Sequence, residues 1–143
     1  MTRRLRFGLP MVLILAAGCS AANAAQHAEP AEQSRVALSQ TLPRLDGAKL
    51  AVTMVEVRYA PGGSSAPHSH PCPVIGYVIE GAFKTQVRGG PIEVFRAGQS
   101  FYEPANGVHQ VSGNASDRIP VRFLATFVCD HAAPLSQLVS SRP

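Results

Sequence analysis

The sequence predicts an all-β domain, a sandwich or barrel of short antiparallel strands. Segments rich in β-branched and aromatic residues recur at short intervals, and clusters of Gly, Pro and Asn separate them. Beyond residue 24, no stretch of helical length shows a 3.6-residue apolar period. About a hundred residues are involved, which is enough for a jelly roll.

Seven strands are predicted. The first covers 49–59, where β-branched residues run without a breaker until Pro61-Gly62-Gly63. The others, each bounded by turn residues, cover 74–79, 83–88, 92–95, 100–102, 108–112 and 121–129. Alternation predicts one buried face in two of them, which consists of Phe83, Thr85 and Val87 in one strand and of Val121, Phe123, Ala125, Phe127 and Cys129 in the last.

Residues 1–24 have the pattern of an export signal. Arg3, Arg4 and Arg6 precede an apolar run over 7–18, which is shorter than the roughly 20 residues that span a bilayer. Two cleavage patterns compete: the small-x-small triplet 22–24 fits signal peptidase, whereas the run 16–19 resembles a bacterial lipobox in which Cys19 is lipidated. Both place the protein in the periplasm, with membrane attachment only through this segment or a lipid on Cys19.

The charge of the chain argues against a nucleic-acid partner. Thirteen Lys and Arg against nine Asp and Glu give a formal net charge of +4. Three of the arginines lie in the export signal, while every acidic residue follows it. The remaining chain is therefore nearly neutral and lacks the basic surface that nucleic-acid binding needs.

The segment after the signal predicts a flexible N-terminal arm over 25–41, rich in Ala, Glu, Gln and Ser, ahead of a barrel over 42–139 and a tail over 140–143. Cys72 and Cys129 lie within the barrel. In an oxidising compartment such a pair favours a disulfide, and two buried unpaired thiols are the alternative. The sequence leaves both open.

Three histidines are candidate metal ligands. In His68-Ser69-His70 the two-residue period of an extended chain places both imidazoles on one face. His109 begins a later strand, after a turn over 104–107 that can direct it into the barrel. Neutral imidazoles suit Zn, Cu, Ni and Fe. A His-x-His pair alone is more often a polar strand face, so the surrounding residues decide.

Glycines frame these histidines in two motifs. Gly62, His68, His70, Val74 and Gly81 have the spacing G-x5-H-x-H-x3-V-x6-G, which resembles the first motif of the cupin superfamily. A second group of residues resembles the second motif of the same superfamily: Gly98, Pro104, His109 and Asn114. Two of its gaps are longer than usual: four residues separate Pro104 from His109, and four separate His109 from Asn114.

The resemblance implies a cupin-type jelly-roll β-barrel of antiparallel strands. It also implies one divalent metal ion, with His68, His70 and His109 as ligands and Val74 in the position of the family's glutamate ligand. Further candidates, as an additional ligand or as a group that orients one, are Cys72, Glu103 and Gln110. Iron is the favoured metal, with Mn, Ni, Zn and Cu as alternatives.

Without the glutamate, three neutral imidazoles leave the ion with its full charge, which favours a small anionic ligand. The resemblance therefore implies a non-haem metal-dependent dioxygenase that acts on a small anionic substrate. A periplasmic binding or sensing protein without catalysis is the alternative, and the sequence leaves the choice open. The resemblance also allows a homodimer.

Overall fold

The computed structural model describes residues 33–139. The export segment 1–24 with Cys19, residues 25–32 of the predicted arm and the tail 140–143 lie outside the described residues. In the described part of the chain, no helix is long and apolar enough to cross a membrane. A short 3₁₀ turn, Gly47–Lys49, precedes the first strand, and Asp46 caps it by accepting a hydrogen bond from the Ala48 amide at 3.0 Å.

Residues 33–139 form nine strands. They are β1 (Ala51–Tyr59), β2 (His68–Ser69), β3 (Val74–Glu80), β4 (Ala82–Val87), β5 (Glu93–Arg96), β6 (Ser100–Glu103), β7 (Val108–Asn114), β8 (Val121–Cys129) and β9 (Gln137–Leu138). The seven predicted strands are present with small shifts of their ends. The two additional strands, β2 and β9, have only two residues each, which is too short for a periodic pattern.

The strands form two antiparallel sheets. One has the order β1-β8-β3-β6 and the other the order β5-β4-β7-β2-β9. Several neighbouring strands are distant in sequence: β1 pairs with β8 and β2 with β7. This topology confirms the predicted all-β jelly roll of antiparallel strands.

The core contains side chains of both sheets. Phe83 on β4 lies 4.4 Å from Phe123 on β8 and 4.9 Å from Phe101 on β6, measured between ring centroids. The five residues of β8 that the alternation predicted to be buried are all buried. In β4, Phe83 and Thr85 are buried as predicted, but Val87 is half-buried because the pairing with β7 shifts register there. Burial of these aromatic rings supplies much of the stabilising free energy.

Cys72 and Cys129 are joined by a disulfide. Their Cα atoms are 5.2 Å apart, so the bond ties the loop before β3 to the last residue of β8. The suggestion that Cys72 supplies a thiolate ligand is therefore wrong, because its sulfur is bonded to Cys129.

The second motif ends in a buried hydrogen-bonding residue. Asn114 is 6% exposed, and its side-chain amide donates to the carbonyls of Ala60 and Ile119 at 3.0 and 2.7 Å. Its Oδ1 atom accepts from the Ser116 amide at 2.9 Å. Asn114 thus ties together the loops that follow β1 and β7.

Gly81 explains the tight connection between β3 and β4. Its φ of 74° lies in the left-handed region, and a Cβ at this position would be 2.3 Å from the carbonyl oxygen of Pro120. Both observations require glycine, as the motif predicts.

Candidate metal centre

The structure brings His68, His70 and His109 together inside the barrel. One nitrogen of each can be chosen so that all three lie within 4.8 Å of one another. The ring centroids are 4.8 to 5.7 Å apart, and each residue is at most 9% exposed. The three rings are therefore close enough to be candidate ligands of one ion.

Strand pairing accounts for this convergence. His68 on β2 is the direct partner of His109 on β7, so both project from the same face of the sheet. His70 follows two residues after His68 in extended chain and shares its face. Asn106, with a φ of 60°, belongs to the turn before β7, and its amide donates to the His70 carbonyl at 2.7 Å. The turn over 104–107 therefore holds the first motif against the second.

Backbone carbonyls orient two of the imidazoles. The Nδ1 atom of His68 lies 2.8 Å from the Ala66 carbonyl oxygen, and that of His70 lies 2.6 Å from the Leu135 carbonyl oxygen. Because a carbonyl only accepts hydrogen bonds, Nδ1 carries the hydrogen in both rings. The Nε2 atom of a neutral ring then presents a lone pair, as a metal ligand must.

Burial favours the neutral form of His70 and His109. Burial is the main reason that the pKa of His109 is lowered to about 4, and the nearby His68 and His70 contribute to the same decrease. Burial also lowers the pKa of His70, an effect that the Leu135 carbonyl partly offsets and His68 reinforces. No proton then competes with a metal ion for these rings near neutral pH.

Glu103 is the fourth polar group in the cavity. Its Oε2 atom lies 3.4 Å from Nε2 of His70, and its Oε1 atom lies 3.2 Å from Nε2 of His109. It is 6% exposed, and burial raises the pKa of its carboxyl group to about 8. The alternation within β6, where Phe101 and Glu103 are buried and Tyr102 is half-buried, directs it inward. The strand has only four residues, so this alternation is too brief to identify Glu103 from the sequence.

Val74 is the direct cross-strand partner of Glu103. It is 1% exposed and lines the same cavity. The residue at the family's glutamate position is thus apolar, while a carboxyl group enters the cavity from the neighbouring strand.

Gln110 does not reach the centre. It is exposed on the outer face of β7, so the suggestion that it orients a ligand is wrong. In the pairing with β4, Val87 is opposite His109 and Gln86 is opposite Val111, which leaves Gln110 as the extra residue of a β-bulge. The bulge accommodates the longer gap of the second motif, since both His109 and Asn114 remain buried.

The cavity has a mainly apolar wall. Its volume is about 370 Å³, open solvent at the mouth included. Besides the histidines and Glu103, its lining includes Val55, Val57, Phe83, Phe123 and Phe127. A hydrogen bond of 3.1 Å joins the hydroxyl groups of Tyr59 and Ser112 in this wall. The sequence did not identify Ser112, because the bulge in β7 changes the alternation between His109 and Ser112. Tyr59 follows the two-residue period of Val55 and Val57 in β1, which is the signal that could have identified it.

The sequence matches the cupin domain family over residues 55–127, a range that includes the three histidines, Val74 and Glu103. The chain belongs to the cupin family. A cupin-like protein from Thermotoga maritima has 27% identity and a TM-score of 0.56, and the match covers 63% of this chain and 65% of that protein. A comparison with curated proteins found no match.

Two more distant structures share the cupin fold. A conserved protein with a double-stranded β-helix domain from Klebsiella pneumoniae is 19% identical, with a TM-score of 0.53, and the match covers 68% of this chain and 90% of that one. An oxalate oxidase in complex with glycolate is 22% identical, with a TM-score of 0.52 and coverages of 71% and 62%. This cupin therefore spans less than two thirds of the Thermotoga protein and of the oxalate oxidase.

The residues of the centre fit a divalent transition metal ion. Three imidazoles are buried, and two of them are held with Nε2 available. The Oε2 atom of Glu103 and the Nδ1 atom of His109 are buried without a hydrogen-bond partner. Uncompensated buried polar atoms are costly, and an ion bound by the histidines would supply the missing interaction of the Glu103 carboxylate.

Proposed function

We propose that this cupin binds one divalent transition metal ion through His68, His70 and His109. The observation that carries the proposal is the convergence of three buried imidazole nitrogens within 4.8 Å. Histidine-rich sites with open positions suit iron, our first choice, and Mn, Ni, Zn and Cu are the alternatives. The ion would supply Lewis-acid chemistry and, as iron, the activation of dioxygen.

The activity we propose is that of a non-haem metal-dependent dioxygenase acting on a small anionic organic substrate. The histidine cavity adjoins a second, more open cavity of about 640 Å³, open solvent included, to which both His68 and His70 contribute. Val57, Phe127 and Leu135 give this entrance an apolar lining that suits the carbon skeleton of an organic molecule. The fold accommodates glycolate, a small carboxylate, in the oxalate oxidase.

A binding or sensing protein without catalysis is the second candidate. The observation that favours it is the scarcity of polar groups that could act on a substrate. Apart from the histidines, the cavity lining offers Glu103, Tyr59 and Ser112 and few other polar groups. Turnover separates the two candidates: the enzyme consumes dioxygen when a substrate is supplied, whereas the binding protein retains its ligand unchanged.

Metal content tests the proposal directly. Protein purified from its native compartment without chelator is expected to contain close to one metal ion per chain by mass spectrometry. His70→Ala should lose that metal. His131→Ala is the matched control and should keep it, because His131 is an exposed histidine, hydrogen-bonded to Asp130 at 2.7 Å. Absence of stoichiometric metal, with no binding on reconstitution, would overturn the proposal.

We also propose export to the periplasm, either as a soluble protein or as a lipoprotein anchored through Cys19. The signal-like pattern of residues 1–24 motivates this location. The Cys72–Cys129 disulfide supports it, because such bonds form and persist in oxidising compartments. The mass of the mature protein distinguishes cleavage after Ala24 from lipidation of Cys19, and an intact N-terminus in the cytoplasm would contradict export.

A further inference from the structure

We infer that Glu103 is the fourth protein ligand of the metal ion. The carboxylate ligand then comes from β6, whereas the family's glutamate would be at position 74 on β3, which is valine in this chain. The inference rests on the proposed metal site and completes its ligand set as three imidazoles and one carboxylate.

The spacing of the polar atoms is that of ligands around one ion. Two ligand atoms each about 2.1 Å from an ion are about 3.0 Å apart at an octahedral angle and about 3.4 Å apart at a tetrahedral angle. The two Glu103 oxygens lie 3.4 Å from Nε2 of His70 and 3.2 Å from Nε2 of His109. Both contacts fall within this interval.

The hydrogen-bond pattern calls for a cation between these groups. Because Nδ1 of His70 donates to the Leu135 carbonyl, Nε2 of the neutral ring carries only a lone pair. It faces Oε2 of Glu103, a buried atom without a hydrogen-bond partner. Two acceptors in contact repel each other unless a proton or a metal ion lies between them. The neighbouring His68 favours the metal ion, because its Nδ1 also donates to a backbone carbonyl and its Nε2 therefore offers a further lone pair.

The strand register explains how the ligand can change position. Directly opposed residues of an antiparallel pair have Cβ atoms about 5 Å apart on the same face. Val74 and Glu103 are such a pair, and both line the cavity. A carboxylate from either position can therefore reach the same ion. Val74 occupies the space of a second carboxylate with an apolar side chain, which leaves a single negative charge in the ligand set.

Cobalt(II) titration of Glu103→Gln tests the inference. The amide keeps the size of the side chain but removes its charge, and Glu93→Gln, at an exposed position on β5, is the matched control. Loss of a carboxylate that only supports a ligand costs about 10- to 100-fold in metal affinity. We expect Glu103→Gln to lose at least about 100-fold and to change the visible absorption bands of the bound cobalt, while Glu93→Gln stays within about 2-fold.

The outcomes separate this inference from the proposed function. Wild-type protein that binds no metal overturns both. If the wild type binds cobalt and Glu103→Gln binds it with the same spectrum, only the inference is overturned, whatever the affinity. In that case Glu103 positions the histidines without coordinating the ion.

An exchange variant provides the second measurement. Glu103→Val combined with Val74→Glu moves the carboxylate to the partner strand at constant composition. We expect it to recover the cobalt affinity to within about 10-fold of wild type, whereas Glu103→Val alone does not recover it. A folded exchange variant that binds no better than the single variant would contradict the equivalence of the two positions.

Discussion

Val74 and Glu103 are direct partners across the β3–β6 strand pair, and both side chains are buried in the wall of the histidine cavity. This pairing changes the electrostatic expectation for the site. The sequence predicted three neutral ligands and an uncompensated dication, because the glutamate position holds valine. The structure places one carboxyl group beside the histidines from the opposite strand, so the charge of a metal-loaded site would be close to +1.

The stability of the metal-free protein should fall as the pH rises above about 6.5. Burial raises the pKa of Glu103 from 4.5 to about 8, so between these values the unfolded chain releases a proton that the folded protein retains. Folding then becomes less favourable as the pH rises. The lowered pKa of His109, about 4 against 6.5, has the opposite effect, but only below pH 6.5. Below pH 6.5 the lowered pKa of His70 acts in the same direction as that of His109.

Between pH 6.5 and 8, neither His109 nor His70 opposes the effect of Glu103. The free energy of unfolding should therefore fall by about 2 kcal/mol across this interval. Chemical denaturation in the presence of chelator, at pH 6 and at pH 8.5, measures it. Glu103→Gln should remove the decrease, whereas Glu93→Gln should retain it. An equal decrease in all three proteins would show that Glu103 does not titrate in this range.

The disulfide should contribute to stability without affecting the metal site. Cys72 and Cys129 are 57 residues apart, and cross-links of this kind restrict the unfolded chain. We expect Cys72→Ser with Cys129→Ser to lower the free energy of unfolding by about 2–5 kcal/mol. Metal affinity should change less than about 3-fold, because neither sulfur is a ligand. Two thiols that react with a thiol reagent in the denatured, non-reduced wild type would contradict the bond.

Much of the centre follows from the sequence, but its fourth polar group required the structure. The parity of His68 and His70, together with the turn before His109, suffices to bring three histidines together. Glu103 ends a four-residue strand, where alternation is too brief to distinguish an inward from an outward side chain. Gln110 was misassigned because the bulge in β7 interrupts the two-residue period, and only the register with β4 reveals it.

Asn114 should contribute to the stability of the fold. Its side chain makes three hydrogen bonds to backbone groups of two loops while almost fully buried. Replacement by alanine leaves those groups unsatisfied, which predicts a loss of about 2–4 kcal/mol in the free energy of unfolding. Gln110→Ala, an exposed position on the same strand, should stay within about 0.5 kcal/mol. Similar values for both variants would refute the anchoring role.

Anion binding should be limited by Glu103. A unit charge about 4 Å from another interacts with it by about 4 kcal/mol at an effective dielectric constant of 20. Glu103→Gln, saturated with cobalt(II), removes a negative charge next to the ion and restores the uncompensated dication that the sequence predicted. Its affinity for azide, followed by the visible spectrum of cobalt, should therefore exceed that of the wild type by at least about 10-fold. Equal affinity would place the anion away from the ion, and weaker binding by the variant would mean that Glu103 assists the anion instead of repelling it.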